Sequence, residues 1–179
     1  VIKDTLKPGI GYWLRFAYDQ TIGFYGSPIP AETVDVVEGW NLVGSITSPL
    51  SAAGVMSDPP GIIGSNFFGY DQGYFIADSI QPGFGYWVRA SQAGRIILAP
   101  SLAAAPKISS MQELASFNSL TVTDGAGAHQ TLYFGMDRSS TITSMFYDSP
   151  PAAPAGCLDV RFASGKLLEL VPEGESALP

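Results

Sequence analysis

This chain of 179 residues has a single cysteine, Cys157, and a single histidine, His129. One cysteine closes no intramolecular disulfide, so no cystine framework holds the fold together, and Cys157 is expected to be a small buried apolar side chain. One histidine limits nucleophilic catalysis to whatever could be assembled around His129, which stands beside Gly127-Ala128 in what reads as a solvated hairpin tip. Metal binding by His and Cys would have to join His129 to Cys157, and no ligand spacing of the usual kind is present.

Charge is also scarce. Charged residues make up 14% of the chain, against about 25% in an average soluble protein. The nine basic residues are scattered as singles from Lys3 to Lys166 within a net charge of −7. No basic stripe exists for a phosphate backbone or an anionic membrane surface, so neither nucleic acid nor membrane is an expected partner. The longest apolar runs, such as Arg95-Ile96-Ile97-Leu98-Ala99, are strand-sized and far short of the ~20 residues of a membrane helix. No Asp-x-Asp-x-Asp-Gly run marks a calcium loop, although Asp58, Asp71, Asp78 and Asp124 lie on predicted loops. Glu32, Glu38 and Glu113 sit beside turn or strand-end signals as ordinary solvated acids rather than a converging hydrolytic pair. No catalytic residue, metal or cofactor is therefore expected.

What the chain does have is 46% apolar residues, 12% aromatics, 20 glycines and 14 prolines. It also repeats itself. Pro82-Gly83-Phe84-Gly85-Tyr86-Trp87-Val88-Arg89 restates Pro8-Gly9-Ile10-Gly11-Tyr12-Trp13-Leu14-Arg15, 74 residues earlier. At the same offset Ile2 matches Ile76, Asp4 matches Asp78, Leu6 matches Ile80 and Ile22 matches Ile96. Each Pro-Gly is a type II turn signal, with Pro fixing φ and Gly accepting φ > 0 at the next position. Each Gly-Tyr-Trp opens a predicted strand. The Gly-x-Gly pairs are turn and packing positions, since no third Gly and no helix follow.

In chain order, residues 1–30 read as the closing half of a first repeat, so the sequence looks like a piece of a longer chain. Residues 31–99 read as a second, full β-repeat: Val34–Ser45 as one bent strand or two short ones, a helical turn within Ser51–Ser57, a hairpin about Asp71-Gln72, then the repeated strand and Arg95–Leu98. Residues 100–117 are a linker, centred on Pro100–Pro106, with a short helix over Met111–Phe117 that a Ser110…Glu113 capping box announces. Residues 118–172 read as a small β-sandwich of five strands: Leu120–Thr123, Gln130–Gly135, Thr141–Tyr147, Leu158–Phe162 and Lys166–Val171. Ser149–Pro154 makes an extended polyproline-like crossing, and residues 173–179 are an acidic linker. The fold class is all-β, antiparallel sandwich or partly open barrel repeats followed by a second small β-sandwich.

The Gly39-Trp40-Asn41-Leu42 opening and the two Pro-Gly-x-Gly-Tyr-Trp closes resemble segments that recur near the C-termini of large secreted bacterial proteins exported by the type IX route. Leu132-Tyr133-Phe134-Gly135, the Pro150-Pro151 crossing and Leu158-Asp159-Val160-Arg161-Phe162 resemble the β-domain that often follows. The resemblance implies a secreted or cell-surface location and a structural or interaction role without catalysis, with other domains of the same polypeptide as partners. A repeat with an exposed edge further suggests homo-oligomers or filaments. The aromatics Tyr12, Trp13, Trp40, Tyr70, Tyr74, Tyr86 and Trp87 are candidates first for core packing, since each buries about 150–250 Å², and second for platforms that hold surface glycans in a carbohydrate-binding module. Asp4 with Arg15, and Asp78 with Arg89, are a candidate duplicated ion pair.

Overall fold

A computed structural model describes residues 5–18, 20–23, 25–100, 110–136 and 144–171. The expected linker around Pro100–Pro106 and the acidic tail lie almost wholly outside these residues. Val34–Ser45 forms two strands, β1 (Glu32–Val36) and β2 (Gly39–Val43), and Gly39 turns the chain between them at φ 94°. β3 (Leu50–Ser51) and one 3-10 turn at Ala52–Gly54 precede β4 (Met56–Asp58). β5 (Phe67–Tyr70) and β6 (Tyr74–Ala77) are the hairpin expected about Asp71-Gln72, with Gln72 at its tip in the left-handed region. β7 (Ser79–Ile80), β8 (Tyr86–Ala90) and β9 (Gly94–Leu98) complete the unit.

These strands make a four-stranded antiparallel sheet in the order β2-β8-β5-β6 and a three-stranded one in the order β1-β9-β4. Alternation decides which side chains meet. Val43, Phe67, Ala77, Tyr86, Val88 and Ala90 of the first sheet share a core with Val34, Val36, Ile96 and Leu98 of the second. The arrangement is sandwich-like, with open sheets.

The first copy of the repeat does not form the strand expected over Gly11–Phe16. Among the described residues it makes one bridge, Ile10↔Val43, where Gly11 N–H donates to Leu42 O at 3.0 Å and Gly44 N–H to Gly9 O at 2.7 Å. Beyond Gly11 it leaves the edge of β2. A Cβ on Gly85 would stand 3.3 Å from the Gly11 Cα, so the two repeat glycines pass close to each other.

α1 (Ser110–Leu114) is the expected short helix, and β10 (Asn118–Thr123) and β11 (His129–Met136) the expected hairpin. Its tip is held by Asp124, whose carboxylate accepts from Ala126 N–H at 2.8 Å and Ala128 N–H at 3.0 Å. Among the described residues this unit has three of the five expected strands. Ser144–Tyr147 is a 3-10 turn, and 141–143 lie outside the described residues. Leu158–Phe162 joins no ladder: the Gln130 side chain takes up both the N–H and the C=O of Val160, and Phe162 N–H bonds Lys166 O. β12 (Leu168–Val171) then pairs with β11 in parallel, which the long crossover from Met136 permits. One face of this three-stranded sheet packs on the first unit. Leu114, Leu132, Tyr147, Leu167 and Leu168 bury Phe68, Tyr74 and Ile76 in a second core.

Candidate functional site

The face of the four-stranded sheet turned toward the second core is where the aromatics collect. Register puts Trp40 and Leu42 of β2, Trp87 and Arg89 of β8, Phe68 and Tyr70 of β5, and Tyr74 and Ile76 of β6 on that side. The second unit covers its β5–β6 end. Tyr74 Oη donates to Pro151 O at 2.8 Å, Tyr70 Oη donates to Leu158 O at 3.1 Å, and Tyr74 N–H donates to Gln130 Oε1 at 3.2 Å.

From this covered end a ladder of rings runs outward. Tyr74, 2% exposed, meets half-buried Tyr70 edge-on at 5.2 Å and 85°. Tyr70 meets Trp13 edge-on at 4.9 Å and 68°, and Trp13 is 39% exposed. Edge-to-face contact satisfies the ring quadrupoles, and the outermost indole stays partly exposed. The tyrosines are neutral acceptors and donors at ordinary pH. Burial, reinforced by Cys157, pushes Tyr70 up to about 12. Burial, reinforced by Asp159 and opposed by the Trp87 indole, pushes Tyr74 up to about 12. Tyr147 is raised further by burial and by its hydrogen bond to the Glu113 carboxylate.

The other aromatics have packing roles. Trp40 meets Phe68 edge-on at 5.8 Å. Trp87 is partly buried against the second core, and its buried indole N–H faces the Tyr74 hydroxyl without reaching full hydrogen-bond geometry. Tyr86 and Tyr12 do the same work in their two turns. Gln81 N–H donates to Tyr86 Oη at 2.9 Å and Lys7 N–H donates to Tyr12 Oη at 3.1 Å, so each hydroxyl closes over its Pro-Gly turn. Gly83 and Gly9 hold those turns at φ 84° and 73°, as type II geometry requires.

The duplicated ion pair takes another form. Arg89 Nη1 bonds Asp148 Oδ2 of the second unit at 2.9 Å. Asp78 follows β6, and β5 stands between β6 and β8, so the matched Asp and Arg are not neighbours across a ladder. Asp4 lies outside the described residues, and Arg15 is exposed. Cys157 is exposed, in contrast to the buried position expected of it. It follows a turn at Gly156, φ 90°, closed by Cys157 N–H to Pro154 O at 3.0 Å, which lifts it to the surface beside the Tyr70 hydroxyl.

His129 is exposed at the start of β11. Asp58 pairs with Arg95 at 2.6 Å, Asp124 serves its own hairpin, Glu32 accepts from Thr33 N–H at 3.0 Å, and Glu113 accepts a hydrogen bond from the Tyr147 hydroxyl. Among the described residues no three His, Cys, Asp or Glu side chains come together to hold a metal ion, and no helix is long and apolar enough to cross a membrane. The chain matches no protein-family model, no curated protein and no solved structure.

Two contributors escape a reading of the sequence. Gln130, 2% exposed, ties β6 to Val160, and Arg161 reaches Asp159 and, at 3.0 Å, Pro150 O. A glutamine at an inward position of the alternation in β11 is the only signal for the first, and Asp159-x-Arg161 the only signal for the second.

Proposed function

We propose that this chain is a non-catalytic, extracellular binding module whose Trp13–Tyr70 pair receives a sugar ring. The observation that carries this reading is the division among the tryptophans. Trp40 and Trp87 pack against the second core, whereas Trp13 is exposed at the end of an aromatic ladder anchored by a buried Tyr74. A flat, positioned indole offers its face to the C–H side of a pyranose, and Tyr70 fixes its orientation. The low charge and the likeness of the Pro-Gly-x-Gly-Tyr-Trp strings to repeat segments of secreted bacterial proteins support placement outside the cell. A glycan array tests the reading: Trp13→Ala removes binding while thermal stability is retained. Absence of glycan binding by the unaltered chain, or binding that Trp13→Ala leaves intact, refutes it.

A second reading rests on a separate observation. Leu6, Ile10, Leu14, Phe16, Tyr18, Ile22 and Tyr25, all in the first repeat copy, are exposed. Seven exposed large apolar side chains within one segment favour association, and support a structural module that assembles with itself, up to filaments. Light scattering at rising concentration separates the two: assembly that Phe16→Ser abolishes supports this reading, and a monomer at all concentrations excludes it.

A further inference from the structure

In the second copy the closing half of the repeat is completed by two strands that precede it. β2 pairs with β8 and β1 with β9, both antiparallel, which sets Val43 opposite Tyr86 and Val34 opposite Ile96. Tyr86, Val88, Ala90 and Ile96 are buried in the core that these strands share. The first copy has Tyr12, Leu14, Phe16 and Ile22 at the same positions, 74 residues earlier. Among the described residues no strand lies along 12–16 or 20–23, and Leu14, Phe16 and Ile22 are exposed. Unpaired backbone flanked by exposed apolar side chains is a template for another strand.

The opening half carries its own corner. Asn41 closes the turn between β1 and β2: its Oδ1 accepts from Val37 N–H at 3.0 Å, and its Nδ2 donates to Val37 O at 2.8 Å and to Gly39 O at 2.9 Å. Gly39 supplies the positive φ at that corner, so the bend is encoded within Gly39-Trp40-Asn41 and the residues just before it. Ser45 then reaches the closing half, where its Oγ accepts from Gly83 N–H at 2.9 Å. Gly9, the matched glycine of the first copy, has no such hydroxyl on its N–H among the described residues.

We propose that the first copy is a docking edge for the opening half of a repeat of this kind, a β1–β2-like segment with a Gly-Trp-Asn-Leu corner carried by a partner polypeptide. The second copy identifies this occupant, because it shows which strands the same closing sequence takes as neighbours. Carrying its register back by 74 positions sets partner residues equivalent to Gly39, Asn41 and Val43 opposite Phe16, Leu14 and Tyr12, and an equivalent of Val34 opposite Ile22. Main-chain bonds supply affinity, and cover over Leu14, Phe16 and Ile22 supplies selectivity. The proposal rests on the first copy being an association surface and names what associates with it.

The probe is a fluorescent, acetylated peptide with the sequence of residues 32–45, read by anisotropy against the whole chain. Saturable binding is expected, and a peptide of the same composition in scrambled order does not bind. Leu14→Asp, at an exposed position that the fold does not need, weakens binding by at least about tenfold, the order implied by losing one buried leucine. Hydrogen exchange slows at amides within 12–16 and 20–23 when the peptide is bound. No saturable binding, equal binding of the scrambled peptide, indifference to Leu14→Asp, or protection confined to other segments overturns the proposal. Assembly of the chain through Phe16 that excess peptide does not disperse also overturns it, since the occupant is then a second folded copy and the association reading alone survives. Peptide capture by a chain that stays monomeric sustains the proposal and removes only self-assembly.

Discussion

The two copies of Pro-Gly-x-Gly-Tyr-Trp share a sequence, a type II turn and a tyrosine hydroxyl closed over it, yet only one becomes a strand. In the second copy Val88, Ala90 and Ile96 are 0%, 1% and 0% exposed; their counterparts Leu14, Phe16 and Ile22 are 52%, 45% and 44% exposed. The difference lies in what surrounds each copy. β8 is flanked by β2 and β5 and roofed by β1 and β9, whereas the first copy bridges one edge of β2 and then meets the sheet through the Trp13–Tyr70 ring contact. Local chemistry fixes the turn, and tertiary neighbours decide whether the residues after it form a strand.

The largest contrast should come from matched truncations. Ile96→Ala removes a fully buried side chain and is expected to cost about 2–5 kcal/mol, while Ile22→Ala, on an exposed one, stays within about 0.5 kcal/mol. Trp87→Ala and Trp13→Ala should divide likewise, at about 3–5 kcal/mol for the first. Denaturant midpoints measure both pairs, and equal losses in the two copies would mean that the first copy is as well packed as the second.

A second test uses pH. Tyr70 and Tyr74 have folded values near 12 against an ordinary value of 10. The folded state holds their protons longer than the unfolded one, so their contribution is complete below pH 10 and is lost as pH rises toward 12. Thermal midpoints should fall over that window, and Tyr74→Phe should flatten the fall.

Tyr86→Phe isolates the turn latch. Its hydroxyl accepts from Gln81 N–H in a partly buried setting, so its loss should cost about 1 kcal/mol. Tyr12→Phe removes the same bond at an exposed turn and should cost less. Chemical denaturation of the two variants ranks them.

The turns, the β5–β6 and β10–β11 hairpins and the short helix were legible because Gly, Pro and Asp act on their immediate neighbours. The strand after Gly11 was misread for the converse reason: Tyr-Trp-Leu has the right alternation, but a strand needs a partner, and partners are not encoded locally. Leu158–Phe162 failed in a related way, since a side chain, Gln130, occupies its backbone groups instead of a neighbouring strand. The aromatics of the candidate site were all visible. Which of them stays exposed was not, because that depends on the strands and the second unit around Trp13, Trp40 and Trp87, which no local residue encodes.

The smallest effect concerns the arginines, and it decides how the two units are joined. Arg89 and Asp148 are partly exposed, with side-chain exposures of 41% and 28%, so a double-mutant cycle should give a coupling of about 0.2–1 kcal/mol that weakens with salt. Arg89 lies on the same face of β8 as Trp87, so the pair sits at the rim of the second core. Arg15→Ala, in the copy with no second unit over it, should change stability by less than about 0.5 kcal/mol. If Arg89 and Asp148 show no coupling, the apolar contacts of Phe68, Tyr74 and Ile76 and the hydrogen bonds of Tyr70 and Tyr74 hold the units together without this pair.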